Sequence, residues 1–64
     1  MAIIQTTLRE IIVKEDVSEV AKKIQNFDWI KVIENRSYFD HHSHKMLEDE
    51  REIDINTMYI VEIR

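Results

Sequence analysis

The chain has 64 residues and a formal net charge of −4, and it contains no cysteine, glycine or proline. One domain, residues 1–64, is therefore expected, without disulfides, thiolate zinc sites or the glycine-dependent loops that bind phosphates and dinucleotides. A chain this short buries only about 60% of the surface that its unfolded form exposes, so we expect it to form a homo-oligomer or to bind a partner chain.

Residues 1–5 lack the basic and apolar regions of a secretory signal, and no apolar run approaches the length that spans a bilayer. We therefore expect a cytoplasmic protein without membrane contacts. Because the basic residues are scattered along the chain, direct nucleic-acid binding is not expected. The small size suggests a phage or mobile-element protein.

The segment 3–14 is rich in β-branched residues, which favours a strand. The apolar spacing of Ile4, Leu8 and Ile11 also fits a helix, and the stretch from Thr7 to Glu10 matches a capping box. We predict a strand, because a helix would restrict the χ1 rotamers of many β-branched side chains.

The segment 16–27 is predicted to form an amphipathic helix. Asp16 is suited to the N-cap, and the helix is expected to end near Asn26, since asparagine tolerates the left-handed conformation. Glu19 is placed for an i,i+4 pair with Lys23. The residues expected to face the core recur at helical spacing: Val17, Val20, Ala21, Ile24 and Phe27.

A hairpin is predicted to follow the helix. Residues 29–34 form a dense apolar strand, in which Trp29 is expected to anchor the core. Residues 35–37 have the composition of a turn, and Tyr38 and Phe39 begin the returning strand.

The C-terminal third is predicted to end in the clearest strand of the chain. Residues 45–52 leave open a short helical turn or an acidic loop. Residues 53–64 alternate apolar and polar side chains, and Met58 and Ile60 on the polar side suggest a strand covered on both faces. The elements together predict an α+β fold, a single small domain of β-α-β-β-β order with one amphipathic helix packed on one face of a mainly antiparallel sheet.

Aromatic residues and a run of acids indicate where a partner binds. Tyr38 and Phe39 are adjacent, so on a strand they point to opposite faces and one of them is expected to lie outward. Residues 48–54 contain five acids and one arginine, and a solvated loop is the favoured interpretation of that run. The predicted partner-binding residues are Tyr38, Phe39, His41, Glu48, Asp49 and Glu50.

Three histidines within residues 40–44 raise the question of a metal site. On a strand, Asp40, His42 and His44 would share one face and would offer ligand types that zinc accepts. The candidate is weak, since all three ligands come from five consecutive residues. Solvent-exposed histidines are the favoured interpretation, and no metal or cofactor is expected.

A catalytic role has little support in the sequence. No strained nucleophile elbow is encoded without glycine, and a chain this short struggles to enclose a ligand pocket of about 300 Å³. We therefore favour a non-enzymatic interaction module, a regulator or inhibitor that binds another protein. The alternatives are an acidic decoy that mimics nucleic acid and occupies the basic site of a nucleic-acid-binding protein, and a histidine-based metal-binding protein.

Overall fold

The structure, a computed structural model that describes residues 1–64, contains five strands, one α-helix and one 3-10 helix. In chain order they are β1 (Ala2–Thr6), β2 (Glu10–Val13), α1 (Val17–Asn26), β3 (Trp29–Asp40), β4 (Lys45–Asn56), the 3-10 helix (Thr57–Tyr59) and β5 (Ile60–Ile63). The strands form one antiparallel sheet in the order β4-β3-β2-β1-β5. The predicted α+β fold, with one helix packed against an antiparallel sheet, is confirmed.

The N-terminal segment forms two strands rather than one. Strand is the correct structure for this segment, but residues 7–9 turn the chain, and β1 and β2 pair with each other from Ala2↔Val13 to Gln5↔Glu10. The Thr6 hydroxyl builds the turn: it accepts hydrogen bonds from the N–H groups of Leu8 (3.2 Å) and Arg9 (3.1 Å) and donates to the Arg9 carbonyl (2.9 Å). The turn is thus built by a threonine hydroxyl in a chain without glycine, and the helix that the capping-box pattern offered as an alternative does not form.

The helix forms where the sequence predicts it. Asp16 is the N-cap, and its carboxylate accepts a hydrogen bond of 2.9 Å from the N–H of Glu19. At the other end the chain leaves the helix in an extended conformation at Phe27, with φ of −140°. The predicted left-handed ending at Asn26 is therefore wrong, and the one residue with positive φ is His44.

Between the end of β2 and the start of the helix, side-chain hydrogen bonds to β3 take the place of backbone hydrogen bonds between strands. The β2–β3 pairing is limited to Val13↔Glu34, followed by a bond of 2.8 Å from the Lys14 N–H to the Ile33 carbonyl. The Glu15 carboxylate then accepts from the Ile33 N–H at 3.1 and 3.2 Å.

Lys23 adds further side-chain hydrogen bonds along the same edge of β3. Its ammonium group donates to the Lys31 carbonyl at 2.6 Å and to the Glu15 carboxylate at 3.3 Å. The helix is thereby bound to the edge of β3, and Lys23 pairs with Glu15 rather than with the predicted Glu19.

The β3–β4 hairpin is longer than predicted. Both strands have twelve residues, and they pair in continuous register from Trp29↔Asn56 to Asp40↔Lys45. The predicted turn at residues 35–37 is wrong, because that stretch continues β3, and the chain reverses at residues 41–44 instead. Residues 45–52 form neither a helical turn nor an acidic loop; they are the first part of the edge strand β4.

The predicted C-terminal strand is interrupted by the 3-10 helix. The Asn56 side chain accepts from the Met58 N–H at 2.9 Å, and the Thr57 N–H donates to the Asp28 carbonyl at 2.8 Å. The chain then crosses to the far edge of the sheet, where β5 pairs with β1. Met58 lies in the 3-10 helix and is exposed, whereas Ile60 begins β5 and packs against the core, so the expected single strand through both residues is wrong.

The core is small and lies between the helix and one face of the sheet. Its eight buried apolar residues are Ala2, Ile4, Ile11, Val13, Val20, Ile30, Val32 and Ile55. The helix supplies only Val20 to this set, with Ile24 packed beside it. Trp29 is 60% exposed, so its predicted role as a core anchor is wrong. It precedes the buried Ile30 on a strand, and it therefore points to the opposite face.

Candidate partner-binding arm

Residues 35–50 form a two-stranded arm that projects from the rest of the protein. The pairing of β2 with β3 stops at Glu34, and beyond it β3 is paired only with β4. At about 3.4 Å per residue, six residues of each strand extend the arm by roughly 20 Å. The molecule measures 43 × 20 × 18 Å, and its radius of gyration of 13.1 Å exceeds the value of about 11 Å expected for a compact chain of this length.

The arm exposes large apolar side chains on both faces. Tyr38 is 50% and Phe39 is 46% exposed, and Met46 is also exposed. Cross-strand partners share a face of the sheet, so Phe39 lies beside Met46 on one face and Tyr38 beside Leu47 on the other. One of the two aromatics was expected to point outward, and in the structure both do.

The two faces of the arm differ in charge. On the face with Tyr38, which we call the balanced face, Arg36 lies opposite Asp49 and Asp40 lies opposite Lys45. On the face with Phe39, which we call the acidic face, Glu48 and Glu50 lie opposite the neutral residues Ser37 and Asn35. One basic group approaches these acids, the Lys14 ammonium at 3.6 Å from the Glu50 carboxylate, and both side chains of that pair are more than half exposed.

The predicted partner-binding residues all lie on the arm, but they do not form one surface. The acidic face holds Phe39, Glu48 and Glu50, and the balanced face holds Tyr38 and Asp49.

The hairpin turn and the start of β4 complete the surface around Phe39. The His41 ring meets the Phe39 ring edge-on, with centroids 5.1 Å apart. Sequence reasoning missed Met46 and Leu47, the cross-strand neighbours of the two aromatics. Treating residues 45–52 as a strand paired with 35–40 would have found them.

The histidines occupy the hairpin turn rather than a strand. The Asp40 carboxylate accepts hydrogen bonds from the Ser43 hydroxyl (2.8 Å) and the His42 N–H (3.1 Å), and these two bonds hold the pKa of Asp40 below its ordinary value. His44 adopts φ of 56°, the left-handed conformation that glycine would otherwise supply.

The strand geometry that suggested a shared metal-binding face for Asp40, His42 and His44 is therefore wrong. Both carboxylate oxygens of Asp40 are engaged in holding the turn. No group of three or more histidine, cysteine, aspartate or glutamate side chains is arranged to hold a metal ion.

An ion pair fixes the base of the arm. The Arg9 guanidinium donates to the Glu34 carboxylate at 2.7 Å, and the Glu34 side chain is only 6% exposed. Because Arg9 belongs to the β1–β2 turn, this contact joins the turn to the position where the arm leaves the sheet.

Comparison of the chain with protein-family models, curated proteins and solved structures gave no match. None of its helices has the length and apolar character required to cross a membrane.

Proposed function

We propose that this protein is a non-enzymatic interaction module, a small regulator or inhibitor that binds another protein through the arm. The observation that supports the proposal is the exposure of Tyr38, Phe39 and Met46 on a hairpin that has no core of its own. Large aromatic side chains and methionine are enriched in the centres of protein interfaces.

The energetics of a free hairpin support the same conclusion. An isolated two-stranded hairpin is marginally stable in water, and beyond Glu34 the strands of the arm pair with no third strand. A partner that covers one face would bury the apolar pair on that face and would order the strands. Binding of a partner would therefore stabilise the hairpin structure of the arm.

The acidic face is the better docking surface of the two. Its charges are not balanced by cross-strand neighbours, so Glu48 and Glu50 attract a partner with basic groups, while Phe39 and Met46 fit an apolar pocket. The balanced face offers Tyr38 and Leu47, but Arg36 and Asp49 already lie opposite each other. The proposed partner therefore presents an apolar pocket with a basic rim.

Affinity capture from the native host, followed by mass spectrometry, identifies the partner. Calorimetry with the purified partner then measures the dissociation constant for binding to one arm. Phe39→Ala is expected to weaken binding by about 2 kcal/mol or more. The control is Val61→Ala, since Val61 is also exposed but lies on β5, at the edge of the sheet opposite the β4 edge. Equal affinities of wild type and Phe39→Ala for the captured protein would refute docking through the acidic face.

An acidic decoy for a nucleic-acid-binding protein is the second candidate. One face of β4 carries Glu48, Glu50, Glu52 and Asp54 at every second position, a line of negative charges on an edge strand. Lys14 and Lys31 lie within 3.6 and 3.4 Å of Glu50 and Glu52 and reduce that charge, which makes this candidate the weaker one. Competition between the protein and a DNA or RNA duplex for the captured partner, with a steep dependence on salt, would favour the decoy.

A further inference from the structure

A second exposed apolar surface lies at the opposite end of the molecule from the hairpin turn. Five large side chains form this surface, which we call the base patch: Leu8, Phe27, Trp29, Met58 and Tyr59. Leu8 is 92% and Met58 is 81% exposed. Trp29 opens β3 and therefore lies a full strand length from the turn at residues 41–44.

Two adjoining grooves connect four of the five side chains of the base patch. Leu8, Trp29 and Tyr59 line one groove of about 320 Å³, and Trp29 also lines a second groove with Phe27. Backbone hydrogen bonds hold its segments together, from the Thr7 N–H to the Tyr59 carbonyl (3.0 Å) and from the Thr57 N–H to the Asp28 carbonyl (2.8 Å).

The base patch is large for the surface of a small protein. With aromatic side chains contributing about 150–250 Å² each when fully counted, the five exposed side chains present on the order of 600 Å² of mainly apolar surface. The largest apolar patch on a monomeric protein is typically about 300–600 Å² and often functional, so the base patch lies at the upper end of that range and approaches the roughly 800 Å² that each partner buries in a standard interface. For a chain with only ten buried residues, burial of this surface would add substantially to the apolar core.

We infer that the base patch is the contact between two copies of this chain, which form a two-fold symmetric dimer with the arms at opposite ends. A two-fold contact brings a surface against itself, so unpaired like charges on that surface would repel each other across the contact. The two grooves are lined by three basic residues and one acidic residue: Arg9, Lys23, Lys31 and Asp54. The three basic ones already form ion pairs within the chain.

The acidic face of the arm does not suit this role, because two copies of Glu48 and Glu50 would repel each other. The base patch thus fits a second copy, and the arms remain free. This inference stands on observations separate from the proposed function, and a dimer without a partner for the arm is a consistent outcome.

Sedimentation equilibrium over about a hundredfold range of protein concentration tests the dimer. Trp29 is the only tryptophan, and its fluorescence emission should shift to the blue as the protein concentration rises and the base patch becomes buried.

Met58→Asp and Leu8→Asp are expected to weaken dimerisation by at least about tenfold, since each places a charge in an apolar contact. Both side chains are so exposed that the monomer fold should persist, which circular dichroism checks.

Met46→Asp is the matched control, because Met46 is also exposed but lies on the arm. Its dimerisation constant should equal that of the wild type. A wild-type monomer throughout the range, a mass above that of a dimer, or equal weakening by Met46→Asp and Met58→Asp would each overturn the inference.

Discussion

Arg9 and Glu34 lie 25 residues apart in the chain, and the Arg9 guanidinium donates a hydrogen bond of 2.7 Å to the Glu34 carboxylate. This bond joins the β1–β2 turn to the residue of β3 after which the arm begins. Glu34 is the only ionisable residue among the ten buried ones, whereas the Arg9 side chain is 56% exposed. The pair therefore brings a buried carboxylate together with a partly hydrated cation, at the residue where the pairing of β3 with β2 ends.

Arg9→Ala is expected to destabilise the fold by about 1–3 kcal/mol, because Glu34 would remain buried without a partner. The partial hydration of Arg9 keeps this cost below that of breaking a fully buried pair. Urea denaturation followed by circular dichroism measures the change. The control is Glu52→Gln, which breaks the exposed Lys31–Glu52 pair and should cost less than about 1 kcal/mol. Equal costs for the two variants would show that burial of Glu34 is not the determining factor.

Val20→Asp is expected to unfold the domain. Val20 is the one fully buried helix residue, and an unpaired buried carboxylate costs several kcal/mol against a total stability that is small in a domain of this size. Ile24→Asp should be milder, since Ile24 is only partly buried. Thermal melting compares both with Val61→Asp, a matched change at an exposed position of β5. A cooperative, native-like melt of Val20→Asp would contradict the assigned packing of the helix.

Stability should fall in acid because of Glu15. Burial of this carboxyl acts to raise its pKa, but hydrogen bonds from the Ile33 N–H and the contact with Lys23 outweigh burial and hold the pKa below the ordinary value of 4.5. A pKa lowered in the folded state means that the unfolded state binds the proton more tightly. This contribution is therefore complete above about pH 4.5 and is lost as the pH falls through the lower, folded-state pKa.

Denaturation of wild type and Glu15→Gln at several pH values between about 2.5 and 7 tests this dependence. The variant lacks the titrating group, so its stability should change less over the acid range than that of the wild type. Glu10→Gln is the control, since Glu10 pairs with Arg64 at an exposed position. Parallel curves for wild type and Glu15→Gln would assign the acid loss to other carboxyls.

The sequence predicted the helix and the fold class because both depend on local patterns. Asp16 as N-cap and the buried position of Val20 follow from capping chemistry and helical spacing. The boundaries of the strands depended instead on pairing between distant residues. Asn35 and Ser37 have turn composition, yet they continue β3 because β4 supplies partners at Glu50 and Glu48.

The position of Trp29 shows the same limit for individual side chains. Sequence composition favoured burial of the largest residue, whereas the alternation with Ile30 directs its side chain outward. That alternation was visible in the sequence, but which of the two faces meets the helix depends on the pairing of β3 with β2 through Val13↔Glu34. Such a register is set by packing of the whole sheet.

The two faces of the arm allow the docking surface to be located by kinetics. If a partner binds the acidic face, Phe39→Ala should accelerate dissociation by about 30-fold, which corresponds to about 2 kcal/mol. Tyr38→Ala should change dissociation little, because Tyr38 lies on the balanced face, and both variants should stay folded since neither side chain belongs to the core. Surface plasmon resonance with the captured partner provides both rate constants.

The acidic side chains Glu48 and Glu50 should affect mainly the association rate constant of the partner. Glu48→Lys combined with Glu50→Lys is expected to slow association with a basic partner and to leave dissociation almost unchanged, since exposed charges steer the encounter more than they stabilise the complex. Asp49→Lys is the control, because Asp49 lies on the balanced face opposite Arg36. The difference between the two variants should diminish at high salt, where charges farther apart than a Debye length are screened. Unchanged rates for Phe39→Ala and for the double charge reversal, with loss of binding in Tyr38→Ala, would place the partner on the balanced face instead.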